Sequence, residues 1–267
     1  MSEGMEKRNV LKDDFGWEVP VDNVPLPSKG AIYDPDSRLF NKEFIKIKAM
    51  TAREEDILSS RALLQEGTAI KHLIKSCLID KDINIDELTS GDKDALLVSI
   101  RITGYGSDYH VSTNCESCGF SNDVTVDLSE LEIKRLSIKP VEEGQNKFRF
   151  TLPVSKKVVI FKFLNSFDYE NIAAKIKFSK NKLGMKIEGV ITLFLEEAII
   201  SIDNIKEKHK IKKFVDNMPA YDSRALRDYI AENEPRVIME HSFKCSNCDH
   251  DNTSSLPMKQ NFFWPSR

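Results

Sequence analysis

Apolar and polar positions change their spacing several times along the chain, and each change marks an element. Phe44-Ile45-Lys46-Ile47-Lys48-Ala49 alternates apolar and basic residues with the period of a half-buried strand. Thr51-Ala52-Arg53-Glu54 then has the spacing of a capping box, which predicts a helix running to about Glu66, where Gly67 breaks it. Ile70, Leu73, Ile74, Cys77 and Leu78 share one face of a second helix capped by Thr68, so Cys77 reads as a core residue. Ser90-Gly91-Asp92 opens a third helix through Ala95, Leu96 and Ile100, closed by Gly104 and Gly106. Tyr109-His110-Val111-Ser112-Thr113 and Asp123-Val124-Thr125-Val126-Asp127-Leu128 are short β-prone runs that pair as a hairpin.

Beyond a crossing at Leu131 to Pro140, Phe148-Arg149-Phe150-Thr151-Leu152 and Val158-Val159-Ile160-Phe161-Lys162-Phe163 read as two strands. From Asp168 the period becomes helical, most clearly at Ile187, Val190, Ile191, Phe194, Leu195, Ala198 and Ile199. Residues 165–234 are expected to form a small helical bundle, closed by Pro235 before a second, weaker hairpin at Val237 to Phe243 and Thr253 to Leu256. Residues before Val24 are polar and unpatterned, which predicts an arm that is loose or ordered by a partner. The expected class is α+β: split β-hairpins, whose Cys115-x2-Cys118 and Cys245-x2-Cys248 turns read as a zinc ribbon, with an N-terminal helical region and an inserted helical bundle. Its expected divisions are an arm (1–24), a strand and helical region (25–107), a first hairpin (108–130), an inserted β-hairpin and bundle (131–234), and a second hairpin with an aromatic tail (235–267).

Composition fits a globular protein with a substantial core, since 40% of the 267 residues are hydrophobic and 30% charged. No apolar run is long enough to span a bilayer, and Met1-Ser2-Glu3-Gly4-Met5-Glu6-Lys7 lacks the apolar stretch of a signal peptide, so no membrane partner is expected and a cytoplasm is the expected compartment. The net charge of −3 hides two opposed regions. Residues 151–215 hold 13 Lys and no Arg against 7 acidic residues. Between Asp108 and Glu132, Asp108, Glu116, Asp123, Asp127, Glu130 and Glu132 meet no Lys or Arg. The lysine excess suits solvated helix faces with room for an acidic protein partner better than a phosphate-binding surface, which favours Arg forks. The acidic hairpin would repel a nucleic-acid backbone, so no nucleic acid is expected as a partner. A DNA-binding helix-turn-helix is disfavoured too, because the first two helices carry few basic residues on their polar faces.

The chemistry sits in four cysteines. Cys115 and Cys118 lie in Asn114-Cys115-Glu116-Ser117-Cys118-Gly119, and Cys245 and Cys248 in Lys244-Cys245-Ser246-Asn247-Cys248-Asp249. Two residues between thiols let a tight turn aim both sulfurs at one ion, and two such turns complete a tetrahedral zinc site. The alternatives are four reduced buried thiols or a disulfide in each motif, and a reducing compartment opposes the latter. With 126 residues between the pairs, one ion would tie distant parts of the chain together. Four protein ligands leave no open position, so the site belongs to folding and not to catalysis. Gly119 follows the first pair where a left-handed backbone is often needed; Asp249 takes that place in the second.

His72, His110, His209, His241 and His250 read as surface residues, with those beside the knuckles able to support the thiolate site at one remove. No Gly-rich phosphate loop, nucleophile elbow or paired carboxylates are found, Glu54-Glu55-Asp56 being explained by the positive end of a helix, and the chain is read as no enzyme. No internal repeat of fixed period is evident. The aromatics Phe262, Phe263 and Trp264 either dock back on the ribbon or bind a partner, and they are the candidate partner-binding residues.

An ordered series of motifs resembles a known family. Val24-Pro25-Leu26-Pro27-Ser28-Lys29-Gly30, Met50-Thr51-Ala52-Arg53-Glu54-Glu55-Asp56-Ile57-Leu58, Tyr105-Gly106-Ser107-Asp108-Tyr109 with the first knuckle, Asp222-Ser223-Arg224-Ala225-Leu226-Arg227, and the second knuckle followed by Phe262-Phe263-Trp264-Pro265 resemble the baseplate hub proteins and hub assembly chaperones of T-even-type contractile-tailed phages. The resemblance implies a protein that helps build or occupies the central hub of a tail baseplate, with other hub proteins as partners, in the cytoplasm of an infected bacterium or in the virion tail. Asp249 departs from the Gly usual after the second pair. A reading from a different class is a zinc-ribbon regulator that binds nucleic acid.

Overall fold

The computed structural model describes residues 10–12, 16, 18–183, 189–258 and 262–263. Strands β1 (Val10–Lys12), β2 (Glu18–Pro25) and β3 (Phe44–Lys48) form an antiparallel sheet in that order. Strand β3 follows its alternation, with Ile45 and Ile47 buried and Phe44 and Lys46 exposed. Within the expected loose arm, residues 10–12 and 18–24 are strands instead. Pairing from Val21↔Lys48 to Pro25↔Phe44 orders β2, and Val24 is fully buried. Pro20, Pro25, Glu18 and Asp22 hide this strand from a pattern reading, since prolines and acids are depleted in strands.

Between β2 and β3 the backbone turns at Gly30, with φ 72°, against the Leu39–Lys42 segment. A Cβ there would lie 2.3 Å from the Lys42 nitrogen and 2.4 Å from the Leu39 oxygen, so glycine alone fits.

The helix predicted from Thr51 to Glu66 is two helices, α1 (Ala52–Ser59) and α2 (Arg61–Glu66). Ser60 is extended and its hydroxyl caps α2 through the Leu63 N–H. Helix α3 (Ala69–Cys77) buries Leu73, Ile74 and Cys77, as its spacing predicts. Helix α4 (Ser90–Tyr105) buries Ala95, Leu96, Leu97, Val98 and Ile100. The first hairpin follows as β4 (Asp108–Asn114) and β5 (Ser121–Asp127), then the short β6 (Ile133–Lys134).

Strands β7 (Phe148–Thr151) and β8 (Val158–Phe161) pair, and helices α5 (Ser166–Leu183) and α6 (Val190–Ala198) come next. Ile187 lies outside the described residues. The amphipathic period read through Ile199 ends one residue sooner, because Ile199–Ile202 is strand β9, which pairs with β8. Three isoleucines in four positions favour a strand, and the open edge of β8 supplies the hydrogen bonds. Helices α7 (Lys208–Asp216) and α8 (Ala220–Asn233) lead to β10 (Arg236–Val237) and the second hairpin, β11 (Glu240–Lys244) and β12 (Asp251–Ser255). Small antiparallel sheets with eight described helices make the class α+β.

One apolar cluster runs through all of this, joining Val24, Leu73, Leu96, Phe148, Phe161, Leu226 and Phe262. The two hairpins are brought together by a small device. Strand β6 leaves the first hairpin, β10 leads into the second, and they pair with each other at Ile133↔Val237 and Lys134↔Arg236. The chain on either side of the long intervening segment is thereby zipped side by side. Helix α4 packs on β10, and a Cβ on Gly91 would lie 1.9 Å from the Pro235 oxygen, so this approach requires glycine.

Candidate metal centre

Each hairpin ends in the same turn. The Cys115 N–H donates to the Phe120 carbonyl and the Gly119 N–H to the Cys115 carbonyl, both at 2.9 Å. In the second turn the Cys245 N–H donates to His250 at 2.9 Å and the Asp249 N–H to Cys245 at 3.0 Å. Gly119 at φ 72° and Asp249 at φ 55° hold the matching left-handed positions, so Asp249 serves where glycine stands in its counterpart. Across the hairpins Thr113 Oγ1 donates to Ser254 Oγ at 2.9 Å, and the Tyr109 hydroxyl to the Pro257 carbonyl at 3.1 Å.

This docking brings Cys115, Cys118, Cys245 and Cys248 together, with all four Sγ atoms within 4.8 Å of one another. Cys115 lies 3.7 Å from Cys248, and Cys118 3.7 Å from Cys245. Zinc–sulfur bonds of about 2.3 Å at tetrahedral angles put neighbouring sulfurs about 3.8 Å apart, whereas a disulfide needs about 2.05 Å. The two 3.7 Å separations match sulfurs that share one tetrahedral ion, and the sulfurs are unbonded to each other. Cys115 and Cys245 are buried and Cys118 and Cys248 exposed, so one edge of the cluster faces water.

Donors around the cluster favour thiolates. The Cys118 backbone N–H holds the Cys115 thiol below its usual value. Burial pushes Cys245 up, but the N–H groups of Asn247 and Cys248 and the Asn122 side chain outweigh it and bring it to about 6. Cys248 receives an N–H from His250, yet the sulfurs of Cys118, Cys115 and Cys245 push it up to about 12. Crowded sulfurs resist ionising together, and a divalent cation removes that repulsion. The four close cysteines can thus hold a metal ion.

Two asparagines complete the centre. Asn122 of β5 accepts the Ser246 N–H at 2.9 Å, in the opposite knuckle, and Asn252 of β12 accepts the Glu116 N–H at 2.9 Å in return. Both are buried. Asn122 Nδ2 also reaches Cys245 Sγ at 3.7 Å. Each asparagine stands four residues after its hairpin's second cysteine, a shared C-x2-C-x3-N spacing that is present in the sequence but unread there. The hairpins are two copies of one motif bracing each other.

The remaining candidates separate from this centre. Cys77 is fully buried on α3, and burial, with Glu54 nearby, pushes its thiol up to about 12. His72, His110, His209 and His250 are exposed, as expected, but His241 is 8% exposed and stacks on Phe243. Phe262 and Phe263 are 0% and 2% exposed, which leaves them no surface for a partner. Phe262 packs edge-on against Tyr109, and its carbonyl accepts from buried Arg101 at 2.9 Å. The apolar gain of enclosing two rings in the core outweighs presenting them to solvent. Trp264 lies outside the described residues. No described helix is long and apolar enough to cross a membrane.

No curated protein and no solved structure matches the chain. A family model does, over residues 26–264, which reach from the Ser28–Gly30 turn past both knuckles into the aromatic tail. That model is described as T4 bacteriophage base plate protein, and this chain belongs to its family.

Proposed function

We propose that this baseplate protein is a hub component or hub assembly chaperone that acts through protein contacts without catalysing a reaction, and that Cys115, Cys118, Cys245 and Cys248 hold a structural zinc ion. The observation that carries the proposal is the convergence of two thiol pairs, 126 residues apart in sequence, into one cluster with all four sulfurs within 4.8 Å of one another. An all-sulfur donor set selects a soft or borderline ion, and four protein ligands leave no position for substrate. Zinc there supplies folding free energy by holding the two hairpins together. Assembly in the host cytoplasm, with the tail baseplate as destination, is part of the proposal, and membership of a phage baseplate family supports the destination.

The nucleic-acid reading is disfavoured by the segment from Asp108 to Glu132, whose six carboxylates are all exposed with no Lys or Arg among them. Co-expression with the hub proteins of the same baseplate tests the proposal. Co-purification is expected, together with no salt-sensitive retention of duplex or single-stranded DNA in filter binding. Tight DNA retention that falls steeply with salt, and no hub protein bound, would overturn it. Trp264 keeps its place as a candidate contact: Trp264→Ala is expected to weaken co-purification more than it lowers thermal stability. A fall in stability alone would assign Trp264 to the core.

A further inference from the structure

The lysine-rich half of the molecule carries an apolar groove of about 460 Å³ between the end of β9 and helix α7. Ile202, Ile205, Ile211 and Phe214 line it, and Lys157, Lys210 and Lys213 stand around it with Asp203 and Asn217. One wall is a tight two-residue turn: Asp203 and Asn204 are both left-handed, at φ 46° and 69°, and Ile202 and Ile205 exchange backbone hydrogen bonds of 3.0 and 2.8 Å. Ile205 is held there 43% exposed. Lys157 pairs with Asp203 and Lys210 with Glu207, each at 2.8 Å on the surface, while Lys213 has no ion pair among the described residues. Surface pairs of this kind are weak and exchange readily for a better-placed carboxylate.

The opposite charge is found at the tip of the first hairpin. Phe120 stands 47% exposed in the knuckle, its carbonyl fixed by the Cys115 N–H at 2.9 Å and Asn122 Nδ2 at 3.0 Å. Exposed Glu116 and Asp123 flank it in sequence, and no ion pair is made by either among the described residues. The second hairpin adds one cation between Glu240 and Ser255, Lys244, which already lies 3.7 Å from Asp249. An exposed aromatic ring in a hairpin that carries carboxylates and no Lys or Arg is what a lysine-rimmed apolar groove accepts.

We propose that the Phe120 tip of one copy seats in the Ile205–Phe214 groove of another. The two patches are different surfaces of the chain, the knuckle between β4 and β5 and the wall between β9 and α7, so the union is head-to-tail and its repetition yields a ring if the rotation closes, or a filament if it does not. This goes beyond the baseplate reading and depends on none of its partners.

Sedimentation of the zinc-loaded full chain tests it. Wild type is expected to gain mass above the monomer as concentration rises and to lose it as salt is added. Phe120→Asp alone and Lys210→Glu/Lys213→Glu alone are each expected to remain monomeric. Their equimolar mixture is expected to recover a one-to-one dimer and stop there, because one variant brings an intact groove and the other an intact tip. Should Phe120→Asp alter zinc content or circular dichroism, Glu116→Lys/Asp123→Lys takes its place in the same mixture. A wild type that stays monomeric, even one whose groove binds an acidic segment of another protein, overturns the proposal. So does assembly that survives both variants, or a mixture that stays monomeric.

Discussion

Asn122 and Asn252 are neutral side chains with buried amides, and each spends its oxygen on a backbone N–H of the opposite knuckle. Removing one leaves that donor unmet and frees the turn that aims two sulfurs. Asn122→Ala is expected to fold and to bind metal roughly 10- to 100-fold more weakly, measured by competition with a chelator. An unchanged affinity would mean that the knuckles hold their shape unaided. The cysteines were legible at once, because a pair of thiols two residues apart has few other uses. The asparagines were not, because their partners lie 124 and 136 residues away. The same holds for Asp92, which accepts from Ser28 and Tyr33 at 2.5 Å, and for Asp222, which accepts the Val154 and Ser155 N–H groups at 2.7 and 2.9 Å. A single carboxylate reads as surface until a donor remote in sequence is known. Ser28 and Asp222 both fall in runs that carry the family resemblance, and the structure explains them as ties within the fold.

At the scale of elements, β3, α1 and α3 meet on Glu54, which is fully buried. Its carboxylate takes Lys48 Nζ at 2.9 Å, Ser76 Oγ at 2.5 Å and the Thr51 N–H at 2.9 Å. Burial alone would push it up, but Lys48, Ser76 and Thr51 together outweigh that and hold it at about 2. The folded value lies below the ordinary 4.5, so the unfolded chain binds the proton more readily. The contribution, about 3 kcal/mol, is complete above 4.5 and is lost as pH falls from there towards 2. Denaturant unfolding of wild type and Glu54→Gln at a series of pH values is expected to show a stability gap that closes over that window. A gap independent of pH would deny Glu54 this role. The capping spacing showed half of this junction, Thr51 with Glu54, while Lys48 and Ser76 came only with the packing. Strand β9 was hidden for a related reason, since Ile199 continues a helical period as well as it begins a strand, and only the free edge of β8 decides.

At the scale of the whole molecule, three ties close the chain on itself: the β6–β10 pairing, the contact of α4 with β10, and Arg101 holding the Phe262 carbonyl. The second of these rests on Gly91, where a methyl group would meet the Pro235 oxygen. Gly91→Ala is expected to cost more than about 2 kcal/mol in urea unfolding by forcing α4 away from β10, and a near-neutral result would mean that this contact gives way freely. None of the three ties is written in local pattern. Strands of two residues have no period to detect, and a terminal aromatic pair looks the same whether it is enclosed or offered to a partner. The thiol pairs alone announced that the two ends of a long segment meet. They are the fourth tie, and the proposed zinc makes it the strongest, since metal binding there is folding free energy.

The most direct test is the metal content and melting temperature of the purified full chain beside Cys118→Ser. One zinc per chain is expected, lost in Cys118→Ser together with a large drop in melting temperature that chelation of the wild type reproduces. A wild type that is free of metal and equally stable, or a Cys118→Ser chain that keeps both zinc and stability, would contradict the account.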